Sequence, residues 1–221
     1  MRHLLLSATV GPRVDGLLGM THYANRRVGV FAADTQDLHV VEPPADTADV
    51  DSVHAYEAAK WCKDALRCDP VVTSVMWAPV HDDMTELGRD LLDIRQAFLS
   101  RSNATAGYLG AASALMDVIK ARLLPFSEED QVLVSDTAQE MLRLLWQGYQ
   151  LVTRGALPSR VDDLHRFRAF GQRVAAGYVS EAEGVLAMYR DRISSAKSPL
   201  PLEPDYEAVD RWMRFARLRF L

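Results

Sequence analysis

Two short apolar runs, Leu4 to Val10 and Val28 to Ala33, bracket a polar segment that opens on Gly11-Pro12. Runs of this length, bounded by turn residues, read as buried strands rather than helices. The frame is therefore strand, then a turn with a short helix or loop, then strand. Gly11 permits the tight turn and the close backbone approach that a phosphate-binding loop requires. An ordinary β-connection fits the same spacing.

The chain has 221 residues, enough for one large domain or two small ones. Apolar residues make up 48% of it, which supports a sizeable core and argues against disorder. The net charge of −5 argues against broad coating of nucleic acid but leaves room for a local basic groove. Cys62 and Cys68 are spaced C-x5-C, which matches no common metal pattern and predicts two reduced, buried or half-buried thiols. Few cysteines and no signal-peptide pattern point to a reducing, cytoplasmic compartment. No apolar run approaches the ~18 residues of a membrane span, so no membrane partner is expected.

Farther along, Asp34 to Asp37 reads as a polar turn, Leu38 to Val41 as a short strand, and Ala45 to Ala48 as a loop. Val50 to Ala55 reads as the next strand. The period then becomes helical: Ala58, Ala59, Cys62, Ala65 and Leu66 share a face until Cys68-Asp69-Pro70 breaks it. Thr85 to Phe98 is an amphipathic helix with Asp82 or Asp83 as its cap. Helices follow over Ala104 to Leu123 and from Ser127 to Arg154, the latter stopped by Gly155. Asp162 to Ala175 is a third, with a break expected near Gly171. Ser180-Glu-Ala-Glu183 reads as a capping box opening a fourth. After the Pro-rich stretch Ser198 to Asp205, a last helix buries Val209, Trp212, Met213 and Ala216. Ser102-Asn103 is the expected boundary between domains 1–100 and 101–221.

Several of these segments, in order, carry a resemblance. Gly11-Pro12-Arg13, Gly16 and His22-Tyr23-Ala24-Asn25-Arg26-Arg27-Val28 stand where one family has Gly-Ser-Arg, Gly and Ser-Asp-x-Asp before an Arg-Gly-Val strand. Asp51, Tyr56 and Glu57, then Asp69-Pro70 to Trp77-Ala-Pro79, then Arg95 to Arg101 and Gly107-Tyr108 follow. Trp146 to Gly155 and Ser198 to Asp205 complete the set. The chain thus resembles the predicted nucleotidyltransferases of the DNA polymerase β superfamily over nearly its whole length. The resemblance implies an α+β fold: a nucleotidyltransferase-like small mixed β-sheet with flanking helices, followed by a C-terminal helical domain. It makes Trp77 a core residue, and Gly11, Arg13, Arg26, Arg27 and Arg143 the candidates for holding phosphate or nucleotide.

The departures fall where the chemistry would sit. Nucleotidyl transfer uses divalent cations held by carboxylates, and Mg²⁺ requires hard anionic oxygens. Here Pro12 replaces the Ser, and Tyr23 and Asn25 replace the two Asp. Residues 16–33 contain no Asp or Glu at all. On the helix before Arg143, where the family carries Lys and His, the chain has Asp136 and Glu140. The expectation is a degenerate, catalytically inactive protein with no cofactor. It would bind nucleotide or nucleic acid, or partner an active nucleotidyltransferase paralogue or itself. An active enzyme with Mg²⁺ relocated to Asp15, Asp49 and Asp51 is the alternative. A helical protein–protein interaction module is a third. The six histidines show no metal-ligand spacing, and no serine has a nucleophile elbow around it.

Overall fold

The computed structural model describes residues 2–12, 14–17, 19–33, 47–50, 53–122, 127–158 and 160–219. The expected turn and strand over 34–41, and Arg13 and Asp51, lie outside them. The architecture is α+β, and the chain forms two compact units. One comprises residues 1–10, 26–103 and 201–221, the other residues 11–25 and 104–200. The expected contiguous division agrees with this near residue 103 only. The segment 11–25 groups with the helices, and 201–221 groups with the sheet.

The first unit is built on a mixed five-stranded sheet of order β3-β4-β2-β1-β5. Its strands are β1 (Arg2–Val10), β2 (Arg26–Ala33), β3 (Thr47–Val50), β4 (Val53–Glu57) and β5 (Asp83–Met84). β1 pairs antiparallel with β2, and β2 pairs parallel with β4. The two apolar runs are therefore neighbours, buried on both faces, as central strands of this composition require. Alternation sends Leu6, Ala8, Val10, Val28, Val30 and Ala32 to one face, and Phe31, Ala33, Val53 and Ala55 to the other.

Thr47 and Ala48, expected in a loop, begin β3, and the expected strand over Val50 to Ala55 covers only the end of β3 and the start of β4, which pair antiparallel. β4 runs directly into α1 (Ala58–Leu66), because Glu57 accepts a hydrogen bond from Ala59 N at 2.7 Å and caps the helix. Asp69 caps α2 (Pro70–Met76) in the same way. α3 (Glu86–Asp93) is capped by Thr85, not by Asp82 or Asp83, and a 3-10 helix, Arg95–Phe98, replaces its expected last turn. The fully buried tryptophan beside the sheet is Trp61. Trp77 is half-buried and packs against the same core, with the Arg95 guanidinium 5.7 Å above its ring. Cys62 and Cys68 are free and buried, and burial pushes their thiols up to about 12 and about 11.

The second unit packs α4 (Arg101–Ala121), α5 (Glu128–Arg154), α6 (Leu164–Ala175) and α7 (Val179–Ser195); the first three residues of α4 belong to the sheet unit. Ser127 and Asp130 form a complete capping box at the start of α5, and Gly155 ends it in the left-handed region. α6 is unbroken. Gly171 lies where a Cβ would stand 2.6 Å from Ser135 O, so its role is a close crossing with α5. The expected box at Ser180 does not form. α7 starts two residues earlier, with Tyr178 at the cap position, Glu181 paired to Arg173 and Glu183 to Lys120. α8 (Tyr206–Leu218) belongs to the sheet unit and buries Val209, Trp212 and Ala216, with Met213 half-buried. No helix among the described residues is long and apolar enough to cross a membrane.

Candidate functional site

The segment 11–25 leaves β1 as a series of turns, with Leu17 N donating to Pro12 O at 2.8 Å. Leu17 and Met20 are buried in the core of the helical unit. A Cβ on Gly11, whose φ is +135°, would stand 2.8 Å from Asn25 Oδ1. The close approach that Gly11 permits is thus to Asn25, and the frame closes on itself.

The segment then runs along one face of α5. Asp136 Oδ2 accepts from Thr21 N at 2.7 Å and His22 N at 3.0 Å. The Tyr23 hydroxyl lies 3.2 Å from Thr137 Oγ1. Arg143 donates to both oxygens of Glu140, at 2.7 and 2.5 Å, and to Asp15 Oδ2 at 2.6 Å. Gln147 donates to the same Asp15 oxygen and accepts from Arg143. Positions 136, 140, 143 and 147 follow helical spacing, so one stripe of α5 carries the whole ladder.

Two carboxylates share one guanidinium in this ladder. Burial opposes the charge on Arg143, but Glu140 and Asp15 outweigh it and its pKa is raised. Asp15 is an apparent contradiction, a salt-bridged acid whose pKa is also raised. Burial is the largest cause and outweighs the pull of Arg143, and the like charge of Glu140 adds to it. Arg143 is therefore engaged by Glu140, Asp15 and Gln147.

The remaining predicted residues are distributed between the units. In the sheet unit, Arg26 is exposed at the start of β2. Arg27 is bonded to Asp83 at 2.5 Å and lies 3.7 Å from Asp82. Ser7 and Thr9 donate to those same two acids. The side chain of Asp49 lies outside the described residues. No group of three or more His, Cys, Asp or Glu side chains is arranged to hold a metal ion among the described residues. The chemistry of the donors does not fit Mg²⁺ either: Tyr23 and Asn25 are neutral, and Asp15 is held by Arg143 and Gln147.

On the adjoining face of α5, a groove of about 940 Å³ opens towards α6. Gln131, Ser135 and Gln139 line it at intervals of four residues. Gln172 and Arg168 face them from α6, and Asp136 forms part of the wall. Amide side chains both donate and accept, which suits the edge of a planar heterocycle. Arg168, at the exposed rim, suits an anion. Sequence reasoning missed this groove. Its only signal is polar residues four apart on a helix, which is also the pattern of a solvated face. No protein-family model, curated protein or solved structure matches this chain.

Proposed function

We propose that the chain is a nucleotidyltransferase-like subunit that binds a nucleotide or a nucleic-acid end without metal and without transferring it. It works beside an active enzyme of that kind or a second copy of itself. The observation that carries this reading is the saturated stripe of α5. Asp136, Glu140 and Arg143 stand where the resemblance implies cations facing a triphosphate, and all three are bonded to the chain's own residues 15–23 or to one another. A metal site relocated to Asp15 would have to take that carboxylate from Arg143 and leave the guanidinium to Glu140 and Gln147. The amide-lined groove of α5 and α6 supplies an alternative place for a base, with Arg168 beside it for phosphate.

Isothermal titration with ATP, CTP, GTP and UTP, each with and without Mg²⁺, tests this. The expected outcome is binding of equal strength in both conditions. Gln131→Ala and Gln172→Ala each weaken it about fivefold, the yield of one hydrogen bond. Arg168→Ala weakens triphosphates more than nucleosides. Binding that requires Mg²⁺, or nucleotide transfer abolished by changing Asp51, overturns the reading. No binding at all removes its nucleotide half and leaves the partner role.

A further inference from the structure

The sheet unit carries a second groove, of about 530 Å³, between α1 and α8. Its floor is apolar. Cys62 and Val209 are buried there, and Leu66 and Met213 are half-buried and complete it. Tyr206, 55% exposed, extends this surface at one end, where Asn103 Nδ2 donates to Leu66 O and closes the last turn of α1. Leu202, 81% exposed, has its carbonyl bonded by Ser102 beside that end.

The rim is charged unevenly. Asp210 on α8 is paired with Arg214 at 2.6 Å, both side chains exposed. Lys63, in the last turn of α1, and Arg67, its C-cap, are exposed, stand one helical turn apart, and have no ion-pair partner among the described residues. An apolar trough beside two unopposed cations is complementary to an apolar stripe flanked by two carboxylates one turn apart. A helix supplies both at once, because anchors at i, i+3, i+4 and i+7 and acids at i and i+4 fall on adjoining faces. The Cys62 thiol, held protonated by burial, serves as apolar floor and not as a nucleophile.

We infer that the α1–α8 groove is a docking site for an acidic amphipathic helix of another protein. This stands apart from the nucleotide-binding reading, since every residue that lines the groove lies in the sheet unit. The probe is a labelled synthetic peptide of about four turns, with Leu along one stripe and Glu flanking it, titrated against the full chain by fluorescence anisotropy. Saturable binding is expected. The same peptide with Lys in place of Glu binds about tenfold more weakly, as two exposed charge pairs allow. Lys63→Glu with Arg67→Glu, both at exposed positions, reverses that preference, and Met213→Glu abolishes binding of both peptides. Three results overturn the assignment. They are no binding of the Glu peptide at about 1 mM, equal binding of the two peptides, or a preference unchanged by the Lys63 and Arg67 substitutions. Decanoate binding in the groove without peptide binding replaces the helix with a small amphiphile. A concentration-dependent dimer lost in the Lys63 and Arg67 variant replaces it with a second copy.

Discussion

Arg143 sits between Glu140 and Asp15 with its side chain only 7% exposed, so its removal strands two buried carboxylates. Breaking such a pair costs about 3–5 kcal/mol, more than the pair itself contributes, because the partner charge is left without compensation. Arg143→Met should therefore lower stability by about that amount in urea denaturation. Glu140→Gln combined with it should recover part of the loss, because one stranded charge is gone. Asp15 gives a signed test. Its folded pKa lies above 3.8, so between that value and the raised one the folded state binds more protons than the unfolded state. The contribution of Asp15 is full below 3.8 and is lost as pH rises through the folded pKa. Subtracting the stability of Asp15→Asn from that of the parent protein across pH should give a difference that falls as pH rises. A flat or rising difference would remove the assignment. None of this ladder was legible in the sequence. Asp136 and Glu140 stood out as inverted charges, but a charged residue on a helix reads first as solvated. The residues that meet this stripe, Thr21 at Asp136 and Asp15 at Arg143, lie 115 and 128 residues away along the chain.

Helices were the legible elements, because a 3.6-residue apolar stripe survives local noise and carries through the glycines in their interiors. The start of α5 at Ser127 and its stop at Gly155 follow from residue types alone. Caps were less legible where two acids competed for one end. Asp82 and Asp83 resemble caps, but they bond Thr9, Ser7 and Arg27 across the sheet, and Thr85 takes the capping position. β3 was illegible because it is only four residues long with strand-depleted Ala48 and Asp49 at its centre, and is a strand by virtue of pairing with β4. Packing between helices makes its own prediction. A Cβ on Gly148 would stand 2.6 Å from Tyr108 Cβ, where α4 and α5 touch. Gly148→Ala should destabilise by about 1–3 kcal/mol through overpacking. Gly110, exposed on α4 with nothing within 4 Å of an added Cβ, is the control. Gly110→Ala should stabilise by about 0.5–1 kcal/mol, because alanine loses less backbone entropy in a helix. Thermal melts of the two variants should move in opposite directions.

The two-unit organisation means that the segment joining β1 to β2 serves the helical unit more than the strands it connects. Val10 and Arg26 are paired across the ladder, so a two-residue Asn-Gly turn can join β1 to β2 directly. Replacing 11–25 in this way should leave amide-exchange protection in β1 and β2 near the parent level. It should lower protection in α5, where Asp136 loses Thr21 and His22 and Arg143 loses Asp15. Equal loss in both units would mean that the segment is integral to the sheet as well. The apolar content and the change from strand to helical period made the α+β class readable, whereas the interleaving of the units was not, since composition does not report which distant segments close a core. That interleaving also has a consequence for synthesis. The helical unit is complete once residue 200 has emerged from the ribosome, while the sheet unit, which begins the chain, still lacks α8. Trp212, which donates to Leu87 O at 3.2 Å, and its buried neighbours Val209 and Ala216 arrive last. The usual order, in which the domain nearest the N-terminus folds first, is therefore reversed: β1 and β2 wait with an open core while the helices made after them settle.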